Sequence, residues 1–140
     1  KKIDIKKNKF FRKKLLKPTK IYVKEILRLI DNNLINGCAN ITGGGLADNI
    51  KRIVPEKLIA EIDLNKINTT KIFKWLKKND LSNNEMYKTF NCGVGFCIII
   101  SPKKLNKVKK FFSKEYKPYV IGKISKGKNR VKLNGTINWI

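Results

Sequence analysis

Apolar side chains recur at Val23, Ile26, Leu27 and Ile30, the i, i+3, i+4, i+7 spacing of one helical face. That spacing predicts a helix from about Thr19 to Asn33, introduced by Pro18, which suits a first helical turn. "NGCANITGGG" then reads as a turn, a short apolar piece around Cys38–Ile41, and three consecutive glycines. "LADNIKRIV" predicts a short helix closed by Pro55. In "KLIAEIDLN" the residues Leu58, Ala60, Ile62 and Leu64 alternate with mostly polar neighbours, which predicts a half-buried strand. "TTKIFKWLKKND" predicts an amphipathic helix capped by Thr69 or Thr70, with Ile72, Phe73 and Leu76 inward. "SNNEMYKTF" begins another, with Ser82 and Glu85 at capping-box spacing.

The pattern changes at "VGFCIIIS", which is apolar without alternation and predicts a strand buried on both faces. Pro102 opens a further helix in which Leu105, Val108, Phe111 and Phe112 share a face, and "YVIGKIS" and "NRVKLNG" read as closing strands. Trp75 and Trp139 fit core or edge packing. No internal repeat is present. The fold class is therefore α+β, or mixed α/β: a small mixed sheet covered by helices in α/β/α layers. The domain reading is a basic lead-in or linker over residues 1–17 and one domain over 18–140.

Charge changes this picture less than its size suggests. The 140 residues carry a formal net charge of +23, which invites a nucleic-acid partner. Yet of 33 basic residues only Arg12, Arg28, Arg52 and Arg130 are arginine, the side chain suited to bidentate reading of bases and phosphates. A lysine-driven drift in composition accounts for the rest. Charge is absent from Thr89 to Ile100, as a core strand and the loop feeding it require.

The chain contains no histidine, which excludes Ser-His-Asp, Cys-His and mixed Cys/His zinc chemistry within it. Cys38, Cys92 and Cys97 follow no disulfide-framework spacing and read as small buried residues in a reducing compartment. The acidic residues Asp48, Glu56, Glu61, Asp63 and Glu85 are too scattered to announce a paired-carboxylate site. No apolar run approaches the ~18 residues that cross a membrane, and no n-region, h-region and cleavage site open the chain. The start "KKIDIKK", without methionine, suggests a fragment or the back half of something longer.

Two stretches remain as candidate chemistry. "ITGGGLADNI" places three glycines between a strand and a helix, and can be a tight turn or a cradle for an anion. It is neither a Walker loop nor GxGxxG. In "TFNCGVG", Gly93 and Gly95 allow close backbone approach while Thr89 and Asn91 can donate to an oxyanion; a plain bend into a core strand is the other reading.

These same residues carry a resemblance. "LLKPTKIYVK" (15–24), "ANITGGGLADNI" (39–50), "RIVPEKLIAEID" (52–63), "IFKWLKKND" (72–80) and "EMYKTFNCGVGF" (85–96) resemble, in order, the C-terminal half of phosphoribosylformylglycinamidine cyclo-ligases, the aminoimidazole ribonucleotide synthetases of purine biosynthesis. The resemblance covers about Leu15 to Gly122. It implies an ATP- and Mg²⁺-dependent ring closure in the cytoplasm, by a homodimer whose N-terminal domain holds most of the nucleotide and metal contacts. It implies that Thr42, Gly43, Gly44 and Gly45 line the phosphate side of a ribonucleotide substrate, with Thr89, Asn91 and Gly93 nearby, and that this chain binds no metal. It places Asn40 where the family usually has an active-site histidine, and Lys20 where arginine is usual. Asparagine hydrogen-bonds but does not shuttle a proton near pH 7, so the expectation is that these residues are not active alone. The alternatives are a basic RNA- or DNA-binding module, and a non-catalytic structural half of a split or degraded enzyme.

Overall fold

Asn8 accepts hydrogen bonds from the backbone N–H groups of Phe10 and Phe11, and this cap starts helix α1 (Lys9–Leu15) inside the basic lead-in. The computed structural model describes residues 7–113 and 116–140, so residues 1–6 of that lead-in lie outside the described residues. Phe11 is buried and meets the Trp75 ring edge-on at 4.5 Å. The aromatic pair in "KKNKFF" is thus partly spent on packing.

Helix α2 (Val23–Asp31) is shorter than the periodicity predicts and is rotated from the predicted face. Ile26 and Leu29 are buried, whereas Val23, Leu27 and Ile30 stay 58, 52 and 47% exposed. Strand β1 (Gly37–Asn40), helix α3 (Gly45–Lys51) and strand β2 (Leu58–Asp63) follow. Helices α4 (Lys71–Lys77) and α5 (Asn83–Thr89) come next. Thr70 is the residue that precedes α4, but its side chain makes no capping bond. Ser82 and Glu85 do form both arms of the capping box, at 3.2 and 2.7 Å. Strand β3 (Phe96–Ile99), a 3₁₀ turn at Pro102–Lys104, helix α6 (Leu105–Lys109) and strands β4 (Gly122–Lys126) and β5 (Arg130–Asn134) complete the order.

The strands divide into two sheets. β1 and β3 make an antiparallel ribbon in which Ala39 faces Cys97 and Asn40 faces Phe96. β2 is the centre of a mixed three-stranded sheet, antiparallel to β4 and parallel to β5. Its inner face sends Ala60 and Ile62 into the core, with Val131 and Leu133 from β5. On the other face Glu61 lies between Lys123 and Lys132.

The ribbon stands between two apolar clusters. Ala39, Cys97 and Ile99 join the larger one, built on Leu46, Ile50, Ile62, Met86 and Cys92. Cys38, Phe96, Ile98 and Ile100 join the smaller one, around Leu29, Leu34 and Val108. Successive residues of a strand point to opposite faces, so a strand serving two cores must be apolar throughout. That is the physical reason for the uncharged stretch from Thr89 to Ile100. Leu29 is fully enclosed, and truncation there to alanine costs about 2–5 kcal/mol.

Candidate functional site

The triglycine turn is held from inside by one residue. Thr42 accepts a hydrogen bond from the Gly45 N–H at 3.1 Å, closing a tight turn after β1. Asn49, 4% exposed, donates through Nδ2 to the carbonyl oxygens of Gly45 at 2.7 Å and Gly43 at 3.2 Å, and reaches that of Thr42 at 3.5 Å. Among the described residues all peptide bonds are trans, so each N–H points opposite to the C=O of its own peptide. Drawing the Thr42 and Gly43 carbonyls toward Asn49 therefore aims the N–H groups of Gly43 and Gly44 outward. Neither finds an acceptor among the described residues.

Gly45 has a different task. It is buried at φ +63°, and a β-carbon there would come within 1.9 Å of the Tyr87 carbonyl oxygen. Only glycine fits this seat against the carboxyl end of α5. Through it the turn is locked to the start of the second candidate stretch. The Ile41 N–H, donating to the Gly95 carbonyl at 2.9 Å, makes a second tie.

That second stretch is a turn with two left-handed residues, Cys92 at φ +50° and Gly93 at φ +102°. Val94 N–H donates to the Asn91 carbonyl and Gly93 N–H to Asn91 Oδ1, both at 2.9 Å. These dihedrals fit a type I′ turn. Asn91 thus spends its oxygen on its own loop and keeps only its amide NH₂ for a ligand. Cys92 turns its thiol toward the Met86 and Phe90 carbonyls, and burial pushes its pKa to about 11. Burial pushes Cys97 to about 12. Both are packing residues, since a nucleophilic cysteine needs a lowered pKa. Next to Gly93, the Thr69 hydroxyl oxygen is buried without a partner.

Among the predicted site residues, Thr42 and Gly43 are exposed, Gly44 is half-exposed and Gly45 is buried. Asn40 is exposed at the end of β1, Thr89 is exposed at the last position of α5, and Gly93 is exposed while Asn91 is half-buried. The two glycine-rich stretches are direct neighbours. Asn49 is what the sequence reading missed. Its signal was there: it shares helical spacing with Leu46 and Ile50, both buried, in a helix interior where asparagine is otherwise a poor choice. Lys20 stands 4.8 Å over the Tyr116 ring, beside Tyr22, whose hydroxyl occupies the space a β-carbon at Gly95 would need.

Residues 3–134 match the family model described as "AIR synthase related protein, C-terminal domain". The chain belongs to this family. Within the AIR synthase related C-terminal domains, curated relatives bear the name phosphoribosylformylglycinamidine cyclo-ligase. The one from Carboxydothermus hydrogenoformans is 45% identical over 122 residues, covering 86% of this chain and 35% of the relative. That from Ligilactobacillus salivarius is 44% identical over 116 residues, covering 81% and 34%. The Streptococcus agalactiae serotype III protein is 45% identical over 113 residues, covering 80% and 33%. The chain spans about a third of the length of these relatives. As an AIR synthase related C-terminal domain it carries the α+β architecture read from its sequence, its strands parted into two sheets. No helix among the described residues is long and apolar enough to cross a membrane.

Proposed function

We propose that this chain is the C-terminal part of an ATP-dependent cyclo-ligase that closes formylglycinamidine ribonucleotide to aminoimidazole ribonucleotide in purine biosynthesis. In that reaction ATP converts the substrate's amide oxygen into a leaving phosphate, and an internal nitrogen closes the ring. The part of this chain is binding and positioning. Gly43 and Gly44 offer two backbone N–H groups to the ribonucleotide phosphate, and the Thr42 and Thr89 hydroxyls and the Asn91 amide complete the contact. The observation that carries the reading is the Asn49 anchor. A turn whose carbonyls are pulled inward turns the Gly43 and Gly44 N–H groups outward, next to the Asp48 side chain, and backbone donors favour an anion.

Among the described residues no three His, Cys, Asp or Glu side chains gather to hold an ion. The residues present do not fit Mg²⁺, and the reading assigns both Mg²⁺ and ATP to the remaining two-thirds of the enzyme. That part is also the proposed partner of the exposed stripe Val23, Leu27 and Ile30. Three large apolar side chains along one helix face fit a covered interface better than open water. The full enzyme is proposed as a cytoplasmic homodimer, in keeping with three free cysteines. Asn40 can hydrogen-bond in place of histidine but shuttles no proton near pH 7, so slow turnover is the expected outcome.

The test is a chimera in which this chain replaces the matched third of the Carboxydothermus relative. ATP-dependent ring closure is expected, faster with Asn40→His. A chimera that folds and binds the ribonucleotide, yet shows no shift of the Gly43 and Gly44 amide resonances on binding, would overturn the site.

A further inference from the structure

We infer that the cleft between the carboxyl end of α3 and the start of β5 is a second anion site, taking a phosphate or pyrophosphate group on donors other than those of the neighbouring triglycine turn. The cleft has a volume of about 320 Å³ and is lined by Asp48, Lys51, Arg52 and Arg130. α3 has seven residues, so its carboxyl end lies about 10 Å from the glycine turn at its other end. The cations of the cleft thus stand apart from the Gly43 and Gly44 N–H groups, although Asp48 borders both, lining the cleft and packing against Gly44.

Two of the four arginines in this chain meet here, 78 positions apart in sequence. If lysine excess reflects drift, an arginine pair brought together by the fold is the informative exception. Cations at the end of a helix are ordinary, because they complement its partial negative charge. That explains Lys51 and Arg52 but not Arg130, which arrives from another element. Neither Lys51 nor Arg52 has an ion-pair or hydrogen-bond partner among the described residues. Arg130 Nη2 is held by Glu56 Oε1 at 2.6 Å, which steadies the guanidinium while leaving other N–H donors of its fork unused. Counting Asp48 against the cations, and Glu56 against Arg130, the cleft keeps a net positive charge. A planar fork plus two unpaired cations suits an oxyanion of two or more charges.

The probe is inorganic pyrophosphate, titrated into the whole chain and followed by backbone amide resonances and calorimetry. Saturable shifts are expected at Lys51, Arg52 and Arg130, with binding at least tenfold weaker in Arg52→Gln and in Arg130→Gln. Lys123→Gln and Lys132→Gln, on the open sheet face, remove the same charge and should change binding less than threefold. Equal losses in both pairs, or shifts that spread over the lysines and never saturate, would overturn the site. Tighter binding of a single-stranded oligonucleotide than of pyrophosphate would also overturn it, in favour of a polymer partner. Arg52 is exposed and makes no ion pair or side-chain hydrogen bond among the described residues, so Arg52→Gln decides the matter even if Arg130→Gln loosens the fold. The triglycine turn is read separately, at Gly43 and Gly44, so either site can fail alone.

Discussion

Asn49→Ala tests the central piece of the architecture. Asn49 is almost fully enclosed, and its Nδ2 satisfies the Gly45 and Gly43 carbonyls at 2.7 and 3.2 Å. Removing the amide leaves two carbonyl oxygens facing a space where the side chain had been. Each unsatisfied buried acceptor costs about 1–3 kcal/mol. The Gly43 carbonyl lies near the surface and regains water, so its share falls at the low end. The expected loss is about 2–4 kcal/mol, a large part of the roughly 5–15 kcal/mol that a domain possesses. With a urea slope of about 1–3 kcal/mol per molar, the unfolding midpoint should fall by about 1–2 M. Asn49→Asp keeps the shape but turns donors into acceptors opposite carbonyl oxygens, and should lose at least as much at neutral pH. Ligand affinity at the turn should fall in both variants in urea-free buffer, because the Gly43 and Gly44 amides lose their fixed aim. A midpoint in Asn49→Ala within experimental scatter of the parent would refute the anchor, and with it the argument for outward donors.

Gly45→Ala should fail to fold or lose at least about 3 kcal/mol, since its methyl would overlap the Tyr87 carbonyl at positive φ; Gly43→Ala, which meets no atom within 4 Å, should leave the thermal midpoint nearly unchanged. Calorimetry on the two variants separates a seated glycine from a free one. At pH 8, iodoacetamide should alkylate Cys92 and Cys97 only after urea unfolds the chain, as thiols pushed to about 11 and about 12 stay protonated; rapid labelling of either, by peptide mass, would contradict the packing role. Glu85 is held below its usual 4.5 by the Ser82 hydroxyl and the Ser82 N–H, and Glu61 likewise by the Ser125 hydroxyl. A carboxyl lowered in the folded state contributes stability that is present above its unfolded pKa and lost as pH falls through the folded value. Glu85→Gln should therefore flatten the acid limb of the stability–pH curve below about pH 4.5, and an unchanged limb would count against the capping box.

Element type was legible where one periodicity ruled. β2 alternates because one face meets the core and the other meets water, and the capping box of α5 needs only local chemistry. α2 resisted because it is apolar on more than one side: Ile26 and Leu29 point inward, while Val23, Leu27 and Ile30 form a second stripe. Periodicity gives a stripe and does not say which neighbour will cover it. Strand pairing was equally silent, as nothing in "NRVKLNG" says that it will lie parallel to β2. At the site, the glycines declared a special backbone, but the bond from Asn49 to Gly43 follows from a helix folding back over its own preceding turn. The α1 helix was hidden by its lysines, which obscured the single inward side chain, Phe11.

The ribbon of β1 and β3 has a further consequence. In most sheets, sliding one strand by a residue is forbidden because it would trade inner side chains for outer ones. Here both sides are greasy chambers, so a slip exchanges one oily wall for another and that safeguard vanishes. Alignment must then be enforced at the extremities: by the Asn36 N–H on the Ile99 carbonyl at one end, and by the Ile41 N–H on the Gly95 carbonyl, against the Tyr22 hydroxyl, at the other. Substitutions among the central aliphatics should thus be forgiven more readily than changes at these terminal clasps.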